Sequence, residues 1–131
     1  MKKNMQGFTL IEVMIAVVIV GILASVAYPS YVNQIFQSRR SDGHLGLLTA
    51  AQKLERCKTT TFTYASCNVI DSDSESPEGY YALSIDNVSA VGYELIATPQ
   101  DAQAGDEKCG NLTLDANGTR GASGILGEGC W

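Results

Sequence analysis

The sequence predicts an α+β protein: one long N-terminal α-helix whose second half packs on a small antiparallel β-sheet head. Three observations carry this. Residues 8–58 hold an apolar and then amphipathic helical pattern. Segments between 80 and 119 alternate apolar with polar residues, as half-buried strands do. Four cysteines fall at spacings suited to closing loops. A chain of 131 residues forms one modest domain, and 45% hydrophobic residues exclude a wholly disordered one. The net charge of -5 argues against a generally basic nucleic-acid binder. That average hides a division: residues 1–58 hold seven Lys/Arg and three Asp/Glu, whereas 59–131 hold two and eleven.

The helix begins with F-T-L-I-E-V-M-I-A-V-V-I-V-G-I-L-A-S-V-A-Y, residues 8–28, with Glu12 as its single charge. As a helix these residues span about 31 Å, the thickness of a bilayer core. The run is too long for a secretory h-region, and no A-x-A cleavage site ends it. Lys2 and Lys3 precede it, so the positive-inside rule keeps the N-terminus cytoplasmic and sends the rest across the membrane. Glu12 is the anomaly, because an ionised carboxylate within a span is costly and marks function unless the interface hydrates it. Cleavage just before Phe8 would place a new α-amine near Glu12 as a counter-charge, from the same chain or a neighbour.

The string K-K-N-M-Q-G-F-T-L-I-E-V-M-I-A-V-V-I-V-G-I-L-A-S-V-A-Y-P-S-Y resembles the class III signal and first helix of type IV pilins, almost without a gap. The resemblance implies a leader of residues 1–7, cleaved between Gly7 and Phe8 by a prepilin peptidase, and N-methylation of Phe8. It implies that Glu12 guides docking into a growing filament, and that the stretch from Gly21 to Pro29 loses helicity on assembly. Glycine weakens a helix and proline removes a backbone donor, so that stretch is intrinsically soft. The implied partners are other pilin subunits, the peptidase, the inner-membrane assembly machinery and, before assembly, the membrane. The implied route is a single-pass inner-membrane protein with a periplasmic head, then an extracellular pilus.

From residue 29 to about 58 the helix continues as an amphipathic segment. Leu45, Leu48, Ala51 and Leu54 or Glu55 recur every three or four residues as one buried stripe. Asp42-Gly43 is a local weakness rather than a stop. Together these residues make one helix of roughly 50 residues, about 75 Å. Arg39, Arg40, Lys53, Arg56 and Lys58 read as a solvated face, with attraction to a neighbour's acidic head as the sharper alternative.

The head, 59–131, opens with an irregular stretch to about 79. Asp71, Asp73 and Glu75 hint at calcium, but an EF-hand needs Gly where Ser76 stands and Glu where Ala82 stands. Tyr81, Leu83 and Ile85, then Tyr93, Leu95 and Ala97, then Leu112 and Leu114 mark strands, followed by a turn at Asn117-Gly118. Four cysteines allow three pairings; Cys57–Cys67 with Cys109–Cys130 is preferred because both close local loops. The second loop resembles the C-terminal disulfide loop of pilins. Y-E-L-I-A-T-P, C-G-N-L-T-L-D-A-N-G-T-R-G and the ending C-W resemble the head of a PilE-type minor pilin.

No nucleophile elbow, phosphate loop, zinc signature or dinucleotide fingerprint occurs, so neither an enzyme nor a cofactor or metal is expected. His44 reads as a surface residue on the helix. The sequons at Asn87, Asn111 and Asn117 are short patterns that arise by chance. The sequence therefore points to a structural pilus subunit of minor type. The alternatives are a type II secretion pseudopilin, which shares the N-terminus, and a pilus-borne DNA-uptake or adhesion module. The acidic head makes nucleic acid a poor partner.

Overall fold

The computed structural model describes residues 7–131. Residues 1–6, with Lys2, Lys3 and most of the expected leader, lie outside the described residues. The element order is α1 (Leu10–Thr61), β1 (Tyr81–Asp86), β2 (Glu94–Pro99), β3 (Leu112–Asp115) and β4 (Arg120–Ala122). Short 3₁₀ turns occupy Asp101–Gly105 and Gly127–Cys130. Backbone contacts divide the chain into a unit of residues 1–35 and a second unit, Phe36–Trp131.

The first unit is helical from Leu10 onward, and every residue from 7 to 31 is exposed. Thr9 caps the helix, its hydroxyl accepting the Glu12 N–H at 3.3 Å. The order T-x-x-E is the capping-box pattern, so Glu12 occupies a position that also favours a helix start.

In the second unit the sheet is antiparallel throughout, in the order β1-β2-β3-β4. Its register aligns Leu83, Ala97 and Leu112 in one row and Leu95 with Leu114 in the next. The expected alternation therefore becomes one apolar face. That face meets α1 where the helix is thinnest. A Cβ on Gly43 would stand 2.9 Å from Leu112 Cδ1 and 3.0 Å from the Tyr81 ring, and one on Gly46 would stand 3.2 Å from Leu83. Leu47, Ala50 and Leu54 continue this face and are buried with Tyr64, Tyr81, Leu95 and Leu112.

Here the structure corrects the sequence reading. Leu45 is 54% exposed and Leu48 39% exposed, whereas Leu47 is fully buried. The stripe had been placed by counting large side chains, but the sheet packs on the face with the smallest ones. Asp42-Gly43 likewise is part of the contact face, not a weakness. The helix ends at Thr61 rather than near Lys58.

Part of each outer strand is covered within the chain. Segment 74–76 lies along β1, with Leu83 N–H donating to Ser74 O and Ser76 N–H to Tyr81 O, each at 2.8 Å. On β4, the Trp131 indole N–H donates to Gly121 O at 2.9 Å. Covered edges do not template strand-to-strand pairing between copies.

The corrected face makes a direct prediction. Leu47→Ala destabilises the head by about 2–5 kcal/mol, as expected for a buried leucine. Leu48→Ala costs no more than about 0.5 kcal/mol, as at an ordinary surface site. Urea unfolding of the two variants distinguishes the faces, and equal losses would contradict the burial pattern.

Candidate functional site

Two regions carry the residues singled out by sequence. The first is the N-terminal part of α1. Phe8, just ahead of α1, and Glu12, in its first turn, border one shallow groove with Val13, Ala16, Val17 and Val20. The carboxylate sits among apolar side chains, close in sequence to the Phe8 backbone nitrogen that cleavage after Gly7 would free. Phe8 is 84% exposed, and the apolar residues following it lie between half and four-fifths exposed. Surface of this kind is stable only in lipid or against other apolar helices.

Gly21 and Pro29 both lie within α1, which runs unbroken through them. Pro29 has no N–H to offer the carbonyl four residues earlier, at Ser25. Ser25 in turn donates its hydroxyl to Ile22 O at 2.7 Å, a back-bond that competes with the helix ladder. The segment is helical but weakly secured.

The second region is one stretch of α1 that holds the loops of the head. Arg40 makes a two-pronged pair with Asp106, Nε to Oδ2 at 2.6 Å and Nη2 to Oδ1 at 2.7 Å. The side chains are 11% and 1% exposed, and the hydrogen bond to Asp106 holds the guanidinium above its usual pKa. Arg40 is therefore not part of a solvated basic face. Gln103 sits beside the pair, its amide N–H₂ donating to Tyr81 Oη at 3.0 Å and to Phe36 O at 3.3 Å. Asp42 accepts from the Ser76 hydroxyl, from Glu78 N–H at 2.9 Å and from Tyr80 N–H at 3.3 Å. One helix carboxylate thus fixes the acidic loop that sequence reading considered for calcium.

His44 is also corrected: it is half-buried rather than a plain surface residue. Its ring stacks on Trp131 at 4.4 Å, and Nε2 lies 2.9 Å from Cys130 O, donating when it carries the proton. Burial lowers the His44 pKa, opposed by the Cys130 contact, and Arg120 and Arg40 lower it further. Arg120 lies over the other ring of this stack, 5.2 Å from the Trp131 centroid. The signal missed in the sequence was the pairing of a lone histidine with a lone C-terminal tryptophan 87 positions on, which no local pattern links.

Cys57 is bonded to Cys67, and Cys109 to Cys130. At the far end of the head, Tyr64 donates to Glu55 at 2.5 Å and stacks edge-on with Tyr93 at 4.8 Å. Burial pushes both phenols up to about 12. Among the described residues no group of three or more His, Cys, Asp or Glu is placed to hold a metal ion.

Comparison with known proteins bears on both regions. A family model for the prokaryotic N-terminal methylation motif matches residues 2–28. A second, described as type IV minor pilin ComP, DNA uptake sequence receptor, matches residues 29–113. A fimbrial protein of Moraxella nonliquefaciens is 30% identical over 133 residues, covering 84% of each chain. A type IV major fimbrial protein FimA of Dichelobacter nodosus is 32% identical over 114 residues, 86% of this chain and 71% of that one. Among solved structures, the Neisseria meningitidis non-core minor pilin PilV superposes with a TM-score of 0.58 at 27% identity, over 70% of this chain and 89% of that chain. A type IV pilin from Shewanella oneidensis gives 0.50 at 34% identity, over 65% and 89%.

The loop-holding stretch makes two predictions. Arg40→Met strands the buried Asp106 carboxylate and destabilises the head by about 3–5 kcal/mol; a change below about 1 kcal/mol in urea unfolding would contradict that burial. Because the folded His44 pKa lies below its ordinary value, the unfolded chain binds the proton more readily. The His44 contribution to stability is thus present above the ordinary histidine pKa and declines as pH falls below it. His44→Gln flattens the stability profile from pH 7.5 to 5, and an unchanged slope in that variant would remove His44 as the cause.

Proposed function

The chain belongs to the type IV pilin family as a pilus subunit with a minor-pilin domain, and from that premise we propose how its N-terminal helix is processed and used. The prepilin peptidase cleaves between Gly7 and Phe8, and Phe8 receives an N-methyl group. Lys2 and Lys3 hold the leader on the cytoplasmic side of the inner membrane, and the head enters the periplasm, where the four cysteines oxidise. On assembly the helix leaves lipid for a bundle of neighbouring pilin helices. The Glu12 carboxylate meets the Phe8 α-amine of an adjacent subunit and sets its register. The stretch from Gly21 to Pro29 yields as the bundle tightens.

A single observation carries this reading: the whole apolar stretch from Phe8 to Tyr28 is exposed, while the attached head has a closed core. Once out of lipid, a helix in this state needs other apolar helices around it. Glu12 supplies specificity, since leaving that carboxylate unpaired in the bundle costs about 3–5 kcal/mol more than pairing it. The partly covered outer strands support the same division of labour, because covering an edge disfavours strand pairing between copies.

The acidic balance of the head argues against general attraction to DNA, the role named in the matched minor-pilin model. Residues 59–131 hold two Lys/Arg against eleven Asp/Glu, and a phosphate backbone is bound mainly by cations. Secretion pseudopilins share the N-terminal pattern, but beyond it the chain resembles a minor pilin and a type IV fimbrial protein.

Intact mass of unreduced protein from sheared filaments tests the proposal. The expected species lacks residues 1–7, carries one methyl group and is four hydrogens lighter than the fully reduced form. Glu12→Ala lowers the amount of subunit in filaments while the head retains its unfolding midpoint. Residues 1–7 still attached in filaments, or undiminished incorporation of the variant, would overturn the reading.

A further inference from the structure

We propose that the Cys57–Cys67 bond is exchangeable, opened by a dithiol reductant that attacks Cys57, whereas the Cys109–Cys130 bond is permanent. The inference concerns the head alone and does not depend on how the N-terminal helix is processed.

The two bonds lie in different surroundings. Cys109 is fully buried and Cys130 is 4% exposed. Backbone pairs seal that bond on both sides. Gly110 N–H donates to Asp106 O and Gly124 N–H to Cys109 O, each at 2.8 Å, and Leu126 N–H donates to Lys108 O at 3.0 Å. These segments pack so closely that Gly124 has no room for a Cβ against the Lys108 backbone. A reductant reaches the sulfurs there only when the core opens. Cys57, by contrast, is partly exposed in the last turns of α1, and Arg56, Thr60, Thr61 and Ser66 around it are exposed.

The short loop also holds strain. Phe62 lies between its two cysteines at φ +59°, a left-handed conformation that is costly for a bulky side chain. Its ring is 85% exposed, so burial does not offset that cost. Glycine is the usual residue just past a helix end. Few backbone pairs hold segment 62–68 apart from the bond itself. Phe62 N–H donates to Lys58 O at 2.8 Å, Cys67 N–H to Tyr64 O at 2.9 Å and Tyr64 N–H to Ala90 O at 3.4 Å. Exposed and strained disulfides are the ones most readily reduced.

The exchange runs in two steps. One thiolate of the dithiol attacks Cys57 Sγ, the bond to Cys67 breaks, and Cys67 leaves with the electron pair. The Thr61 hydroxyl, 3.7 Å from both sulfurs, is placed to donate to that thiolate. The second thiolate of the dithiol then attacks its partner sulfur in the mixed disulfide, and Cys57 leaves. Two electrons and two protons pass to the cysteines, and the dithiol becomes a disulfide. Arg56 and Lys58 flank Cys57 and favour the approach of an anionic attacker. Opening lets Phe62 leave the left-handed region, while Leu47, Leu54, Leu95 and Leu112 keep the core closed.

The test incubates the oxidised full chain in detergent micelles with dithiothreitol, samples it with iodoacetamide over time, and identifies the alkylated cysteine peptides by mass. Cys57 and Cys67 are expected to react about tenfold faster than Cys109 and Cys130, as local opening outpaces global opening. Trp131 fluorescence stays unchanged while only the first pair is open. A thioredoxin-type protein lacking its second cysteine is captured on Cys57. In a dithiothreitol redox buffer, Phe62→Gly shifts the first bond about fivefold toward the oxidised form, because glycine adopts the left-handed backbone without strain. Equal rates, earlier opening of Cys109–Cys130, loss of the Trp131 signal with the first bond, capture on Cys67, or an unshifted Phe62→Gly equilibrium would each overturn the proposal.

Discussion

The head depends on one close approach, that of the sheet to α1 at Gly43 and Gly46. With no side chain at either position, Tyr81, Leu83 and Leu112 reach the helix backbone. Residues on the flanking turns then lie within reach of the rest of the head. Arg40 reaches Asp106, Asp42 reaches the loop before β1, and His44 reaches the chain end. A larger residue at Gly43 would push the sheet outward and lengthen all three contacts together. The polar contacts are consequences of the packing distance and in turn lock it.

The same helix serves two surroundings. Its first part is apolar all round and exposed, a composition suited to lipid or a helix bundle. Its second part is amphipathic and buries one stripe in a water-soluble head. Nothing in helix geometry needs to change between them; only the side chains do. The head therefore keeps its own core whichever apolar surroundings the first part occupies. The disulfides help, since a head this small buries a limited core and gains from shortening the loops of its unfolded chain.

Covered edges matter for a protein that polymerises. A bare β1 or β4 edge would invite pairing in an unintended register. Segment 74–76 and Trp131 close those edges with groups already in the chain.

Much of this protein is legible in its sequence because the signals are local. The apolar run of 8–28, the placement of Glu12 within it, the alternation in β1 to β3 and the turn at Asn117-Gly118 each depend on neighbouring residues. Helix and strand periodicity, together with turn chemistry, decide them. The tertiary structure alone decided which helix face is buried, because leucines occur on more than one face and the sheet selected the one bearing Gly43 and Gly46. It alone placed Arg40 on Asp106, Asp42 under the acidic loop and His44 on Trp131. Those partners lie between 34 and 87 positions apart, and charge or aromatic character does not specify a partner until packing brings one within reach.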